Sequence, residues 1–108
     1  SFWLTGDLRI TPQEQIQFLQ RLYKDELPFS ESTIAIVKDI MIVEQTPDYT
    51  MRAKTGWALA SNVGWYVGYL EQNDNVYFFA TNIDIQDESD LPARQAITRR
   101  CLASLNLL

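Results

Sequence analysis

Residues 64–83 run Gly64-Trp65-Tyr66-Val67-Gly68-Tyr69-Leu70-Glu71-Gln72-Asn73-Asp74-Asn75-Val76-Tyr77-Phe78-Phe79-Ala80-Thr81-Asn82-Ile83. Aromatic and β-branched residues crowd both ends of this stretch, the composition of paired strands. Gln72-Asn73-Asp74-Asn75 supplies turn residues between them, so the two runs close as a hairpin. Upstream, Thr46-Pro47-Asp48 reads as a turn, and Thr50 to Trp57 then follows the two-residue period of a strand. Together these segments predict a three-stranded antiparallel meander.

Helices flank the meander. Thr11-Pro12-Gln13-Glu14 is a capping box with proline at the first helical position. The helix it opens runs to about Lys24, with Ile16, Leu19 and Tyr23 on one face and Phe18 and Leu22 widening it. Pro28 prevents its continuation. Ser30 or Ser32 caps a second helix through Ile34, Val37 and Met41. A final helix starts at Asp90-Leu91-Pro92, with Ala96, Ile97, Cys101 and Leu105 as its expected buried face. Trp65, Tyr66, Tyr69, Phe78 and Phe79 are assigned to the core and to cross-strand packing. The fold class is therefore α+β: helices, then the meander, then a C-terminal helix packed back on it.

Composition narrows the function. A chain of 108 residues with 46% hydrophobic residues is one domain or part of one. A net charge of −5 argues against a nucleic-acid partner, because tracking phosphates needs clustered Lys and Arg. The most apolar stretch, Ile34 to Val43, is interrupted by Lys38-Asp39 and too short to span a bilayer. No signal peptide is visible, so the expectation is either a cytosolic protein or an address that lies upstream of Ser1. Cys101 is alone and is expected to pack as a small apolar residue. Histidine is absent, which removes Ser-His and Cys-His nucleophile pairs and most zinc sites from this chain. The acids Asp84, Asp87, Glu88 and Asp90 lack the order of a calcium loop. They read as a solvated connection, and no metal is expected.

Lys54-Thr55-Gly56-Trp57 closes the first strand of the meander. An ammonium, a hydroxyl and a bare backbone in sequence suit a small carboxylate-bearing ligand. Gly56 allows close approach to the backbone, and the Trp57 N–H could meet a developing oxyanion. One such donor is worth about 3–4 kcal/mol to a transition state. Taken alone, the tripeptide is a solvated Lys and Thr at a strand end. Trp3 alone is a core aromatic. Arg94 alone is a surface cation, although the start of a helix does not favour one.

Taken together they say more. Phe2 to Thr11, the capped helix, Lys54-Thr55-Gly56-Trp57, Gly64-Trp65-Tyr66-Val67-Gly68, Phe78-Phe79-Ala80-Thr81-Asn82 and Leu91-Pro92-Ala93-Arg94 fall in this order at compatible spacings. The set resembles the C-terminal part of class D β-lactamases, the oxacillinases, and Lys-Thr-Gly is a motif of penicillin-recognising serine enzymes. The resemblance covers essentially residues 1–108, as the C-terminal part of a single β-lactamase-like domain.

It implies hydrolysis of β-lactam antibiotics through a serine acyl-enzyme. Lys54 would supply positive potential near the nucleophile. Thr55 would bond the drug's carboxylate on the bare strand at Gly56. The Trp57 N–H would form half of the oxyanion hole. Arg94 would pair with the carboxylate, bidentately as a guanidinium can. Trp3 would hydrogen-bond the family's carboxylated lysine, with Leu4 in the apolar lining beside it. The implied partners are β-lactam small molecules, the rest of the same enzyme domain and a second copy in a homodimer. The implied location is the periplasm.

The chain departs from the family pattern in three places. No Ser is followed by Lys in the Ser-x-x-Lys spacing of the nucleophile motif, and Tyr-Gly-Asn is absent. Ser61-Asn62-Val63 fits the family's Ser-x-Val pattern but follows Lys-Thr-Gly, in the wrong order. The loop from Trp57 to Gly64 is short for the family. The nucleophile and the carboxylated lysine are therefore expected outside this chain, ahead of Ser1, and no other cofactor is expected. Two alternatives stay open: the penicillin-sensing domain of a membrane receptor, and a non-catalytic α+β binding module.

Overall fold

The computed structural model describes residues 11–108. Three α-helices and four strands follow one another as α1 (Pro12–Tyr23), α2 (Glu31–Ile40), β1 (Ile42–Gln45), β2 (Tyr49–Ala58), β3 (Val63–Gln72), β4 (Asn75–Asp84) and α3 (Ala93–Ser104). A short 3₁₀ turn, Glu88–Asp90, precedes α3. The predicted α+β class holds. The sheet, however, has four strands in the order β1-β2-β3-β4, antiparallel throughout, and not three.

The extra strand is β1. It continues the apolar run that ends α2, so it reads as helix from composition. Its pairing is also irregular: Ile42 faces Arg52 while Glu44 faces Met51, which leaves Val43 as an inserted residue. Such a bulge erases the alternation that would mark a strand. Strand β1 pairs only with the first half of β2, and Ala53 donates its N–H to Met41 O at 2.9 Å, just before β1 begins.

The helix starts follow from their caps. Thr11 Oγ1 accepts the Glu14 N–H at 3.1 Å, and Glu14 Oε1 accepts the Thr11 N–H at 3.0 Å. In α2 the cap is Ser30, whose Oγ accepts the Thr33 N–H. After α1 the chain reverses through Asp25 at φ 59°, and Lys38 of α2 donates to Asp25 and to the Tyr23 carbonyl.

The sheet separates two apolar clusters. On one face, Leu19, Leu22, Leu27, Ile34 and Met41 meet Trp65, Val67 and Tyr69. On the other, Leu102 of α3 meets Met51, Ala53, Tyr66 and Leu70. Strand β3 lies between the two and is buried from Gly64 to Leu70, which explains its near-continuous apolar run. Tyr23, Tyr69 and Phe78 pack edge-on or tilted at centroid distances of 5.4–5.9 Å. Arg52 ties the layers together: its Nε donates to Lys38 O, its guanidinium pairs with Glu71, and its charge lies over the Tyr69 ring.

Helix α3 buries a different face from the one expected. Thr98 and Leu102 are its buried residues, while Ala96, Ile97, Cys101 and Leu105 are exposed. Cys101 is a free thiol at the surface. Hydrogen bonds, more than apolarity, set the helix's rotation. Thr98 Oγ1 donates to Arg94 O at 2.8 Å and lies 2.6 Å from Thr81 Oγ1 of β4. A hydroxyl has a single proton, so in this chain of contacts Thr81 donates to Thr98. The loop ahead of α3 is organised by its acids, as Asp90 accepts the Gln86 and Asp87 N–H groups and Asp87 accepts from Ser89. These bonds to the Ser89 hydroxyl and backbone hold the Asp87 carboxyl below its usual range.

Candidate active site

Strand β2 carries Lys54, Thr55, Gly56 and Trp57 along its second half, where β1 no longer pairs with it. Side chains alternate across a strand. Met51 and Ala53 belong to the α3-facing cluster, so Thr55 and Trp57 share that face. Lys54 points to the opposite face and is exposed. Lysine and threonine therefore lie on opposite faces of β2, beside an edge that is open among the described residues.

Backbone groups alternate in the same way. The Ala53 N–H points toward β1, since it bonds Met41 O. The register between β2 and β3 is unbroken from Tyr49 to Ala58. By the two-residue period, the N–H groups of Thr55 and Trp57 point the same way, off the open edge. The Gly56 carbonyl points back toward β3.

Arg94 reaches that carbonyl from α3. Its Nη1 donates to Gly56 O at 2.9 Å and its Nε to Leu91 O at 2.9 Å. Among the described residues, Nη2 makes no hydrogen bond, which leaves part of the planar fork available to a carboxylate. Two glycines make room for this arrangement. A Cβ on Gly64 would fall 2.9 Å from the Ile85 side chain and 3.1 Å from Arg94 Cδ. A Cβ on Gly56 would fall 2.2 Å from the Trp65 indole, which fills the face opposite Arg94. The turn between β2 and β3 is held by the Ile85 N–H bonding Asn62 O at 2.7 Å. Trp57 Nε1 is buried and has no partner among the described residues.

The structure thus brings Gly56 and Arg94 into contact and puts Thr55 and Trp57 on Arg94's side of the sheet. Trp3 and Leu4 lie outside the described residues. Leu91, Gly64, Ile85 and Thr98 shape Arg94's position, a role that the sequence pattern does not reveal. Only Gly64 carried a signal, as a glycine inside a strand otherwise rich in bulky residues.

The sequence pattern of the penicillin-binding-protein transpeptidase domain matches residues 1–103. The chain belongs to that family. Within it the relatives are class D β-lactamases. Over 104 residues the chain is 47% identical to β-lactamase OXA-48 of Klebsiella pneumoniae, covering 94% of this chain and 39% of the relative. Over 112 residues it is 41% identical to β-lactamase OXA-5 of Pseudomonas aeruginosa, covering 99% of this chain and 42% of the relative. The fold superposes on the crystal structure of the class D β-lactamase YbXI from Nostoc with a TM-score of 0.90 and 61% identity, covering all of this chain and 46% of the other. The chain thus spans less than half the length of each of these relatives.

Proposed function

We propose that the complete protein hydrolyses β-lactam antibiotics through a serine acyl-enzyme, and that this chain supplies the substrate-holding wall of its site. The observation that carries the reading is the open edge of β2. There the Trp57 N–H points outward at the end of Lys-Thr-Gly, with the Arg94 guanidinium behind the same peptide. The relatives' identity as class D β-lactamases supports it.

In this reading the lactam lies along the β2 edge. Lys54 raises the positive potential at the nucleophile, and Thr55 bonds the carboxylate beside the bare backbone of Gly56. The Trp57 N–H meets the charge that develops on the lactam carbonyl oxygen. Arg94 offers Nη2 to the carboxylate. The nucleophile and the family's carboxylated lysine belong to the part of the protein outside this chain, where that lysine supplies the general base. Trp3 and Leu4 support it. Secretion to the periplasm and dimerisation belong to the same reading.

Incubating the complete protein with benzylpenicillin, followed by mass spectrometry and nitrocefin turnover, tests the proposal. Rapid turnover through a transient acyl adduct is expected. A stable adduct would identify a penicillin sensor, and no adduct would overturn both readings. The 108 residues alone are expected to leave nitrocefin intact. In the complete enzyme, added bicarbonate should restore activity lost at low pH, because carboxylation needs a neutral lysine.

A further inference from the structure

We propose that Arg94 is also a positioning residue for the oxyanion donor, acting through the carbonyl of Gly56. The inference rests on the β-lactamase reading above. Gly56 O and the Trp57 N–H belong to one peptide unit. In a trans peptide these groups lie in one plane and point in opposite directions, and no cis bond occurs among the described residues. Whatever fixes the carbonyl therefore fixes the N–H.

Strand pairing alone leaves this peptide weakly held on its outer side, because β1 stops pairing at Arg52. Arg94 compensates from the other side. Its Nη1 donates a charge-assisted hydrogen bond to Gly56 O at 2.9 Å, a stronger bond than a neutral pair makes. Hydrogen bonds in series polarise one another. A cation on the carbonyl makes the opposite N–H a better donor to a negative oxygen.

Arg94 is itself held before any ligand arrives. Its Nε is bonded to Leu91 O, its main-chain carbonyl to buried Thr98, and Thr98 in turn to Thr81. The missing Cβ of Gly64 leaves the space its side chain crosses. Two of its three guanidinium nitrogens are engaged with main-chain carbonyls. Holding the guanidinium in place would serve carboxylate capture as well, but the bond to Gly56 O bears on the one peptide that carries the Trp57 N–H. Preorganised dipoles of this kind are what stabilise a developing oxyanion without reorganisation cost.

The two roles of Arg94 separate with a substrate that has no carboxylate. In the complete protein, the acylation rate is measured for benzylpenicillin and for its methyl ester, in the wild type, Arg94→Ala and Arg94→Lys. The infrared band of the acyl-enzyme carbonyl is recorded alongside. A positioning role predicts that Arg94→Ala acylates even the ester roughly tenfold more slowly, a fraction of the loss of about 100–1000-fold when an oxyanion donor is removed outright. The carbonyl band should move to higher wavenumber as its hydrogen bond weakens.

Arg94→Lys keeps a cation for the carboxylate but lacks the planar fork that reaches both Leu91 O and Gly56 O. It should recover part of the lost KM for benzylpenicillin, through its charge but not the bidentate fork, while ester acylation stays slow and the band stays shifted. It also keeps the test alive should the alanine variant not fold. Ester acylation at the wild-type rate with an unmoved band, in either variant, overturns the inference. Failure of the β-lactamase reading would look different, since the wild type itself would form no adduct.

Discussion

The two faces of the sheet are held by different means. Toward α1 and α2, the cluster of Leu19, Leu22, Leu27, Ile34, Met41, Trp65, Val67 and Tyr69 is large and apolar. Toward α3 the cluster is smaller, and a polar series runs beside it from Thr81 through Thr98 to Arg94 and on to Gly56 O. Apolar burial is strong but indifferent to direction. Hydrogen bonds contribute less net stability but fix orientation. The helix α1 and α2 face should therefore govern whether β2 is formed, and the α3 face how its peptides point.

The largest effect is expected from Leu19→Ala. Leu19 is 2% exposed at the centre of the larger cluster. Emptying such a site costs about 3 kcal/mol, within the usual 2–5. Urea unfolding should show a lower midpoint at an unchanged slope. In the complete protein, under the proposed β-lactamase reading, acylation per folded molecule should change little. If it fell as far as in an Arg94 variant, the division between the two faces would be wrong.

Gly56→Ala comes next and connects the faces. Its new methyl would lie against the Trp65 indole, 2.2 Å from Cε2 by the present backbone, so either the ring or β2 must shift. Overpacking of this kind costs about 1–3 kcal/mol. Unlike Leu19→Ala, it should also slow acylation of the penicillin ester, because a moving β2 carries the Trp57 N–H with it. Full activity at reduced stability would mean that the indole yields and the strand does not.

Thr98→Val should cost about 1–2 kcal/mol, the net worth of the two hydrogen bonds its hydroxyl makes. The shape is kept, while the donor to Arg94 O and the acceptor for Thr81 are lost. A change in ester acylation larger than that small destabilisation accounts for would mark orientation as the function of this face. An unchanged rate would reduce Thr98 to a packing residue.

What the sequence made legible follows the same division. The strands of the long hairpin, the first two helix starts and the aromatic core depend on local periodicity and caps, which Thr11, Ser30 and residues 64–83 display directly. Strand β1 was hidden, because Ile42 and Val43 prolong the apolar run of α2 and the bulge breaks their alternation. The face of α3 was hidden for a different reason. Its apolar residues do not form a stripe, and its rotation is decided by Arg94 and Thr98, whose partners lie on β2 and β4. Lys54, Thr55, Gly56, Trp57 and Arg94 are candidates on the strength of their order along the chain. That Arg94 touches Gly56, 38 positions away, is a tertiary fact that no local pattern encodes.

The smallest effect concerns the far end of the α3 face. Arg99 Nη1 bonds Glu44 Oε1 at 2.8 Å and so ties α3 to β1. The Arg99 hydrogen bond, followed by that of the Tyr49 hydroxyl, holds the Glu44 carboxyl below its ordinary value of 4.5. A depressed folded pKa adds stability that is present above the unfolded value and lost as pH falls through the folded one. The window is therefore acidic, below pH 4.5. Because the pair is largely solvated, its contribution should be under about 0.5 kcal/mol and should shrink with added salt. Comparing wild type with Glu44→Gln at neutral pH and in that window isolates it: the difference in unfolding midpoint should close on acidification. A gap that persists at low pH would mean that Glu44 stabilises β1 through contacts other than its charge. The polar contacts that orient this face would then stop short of β1.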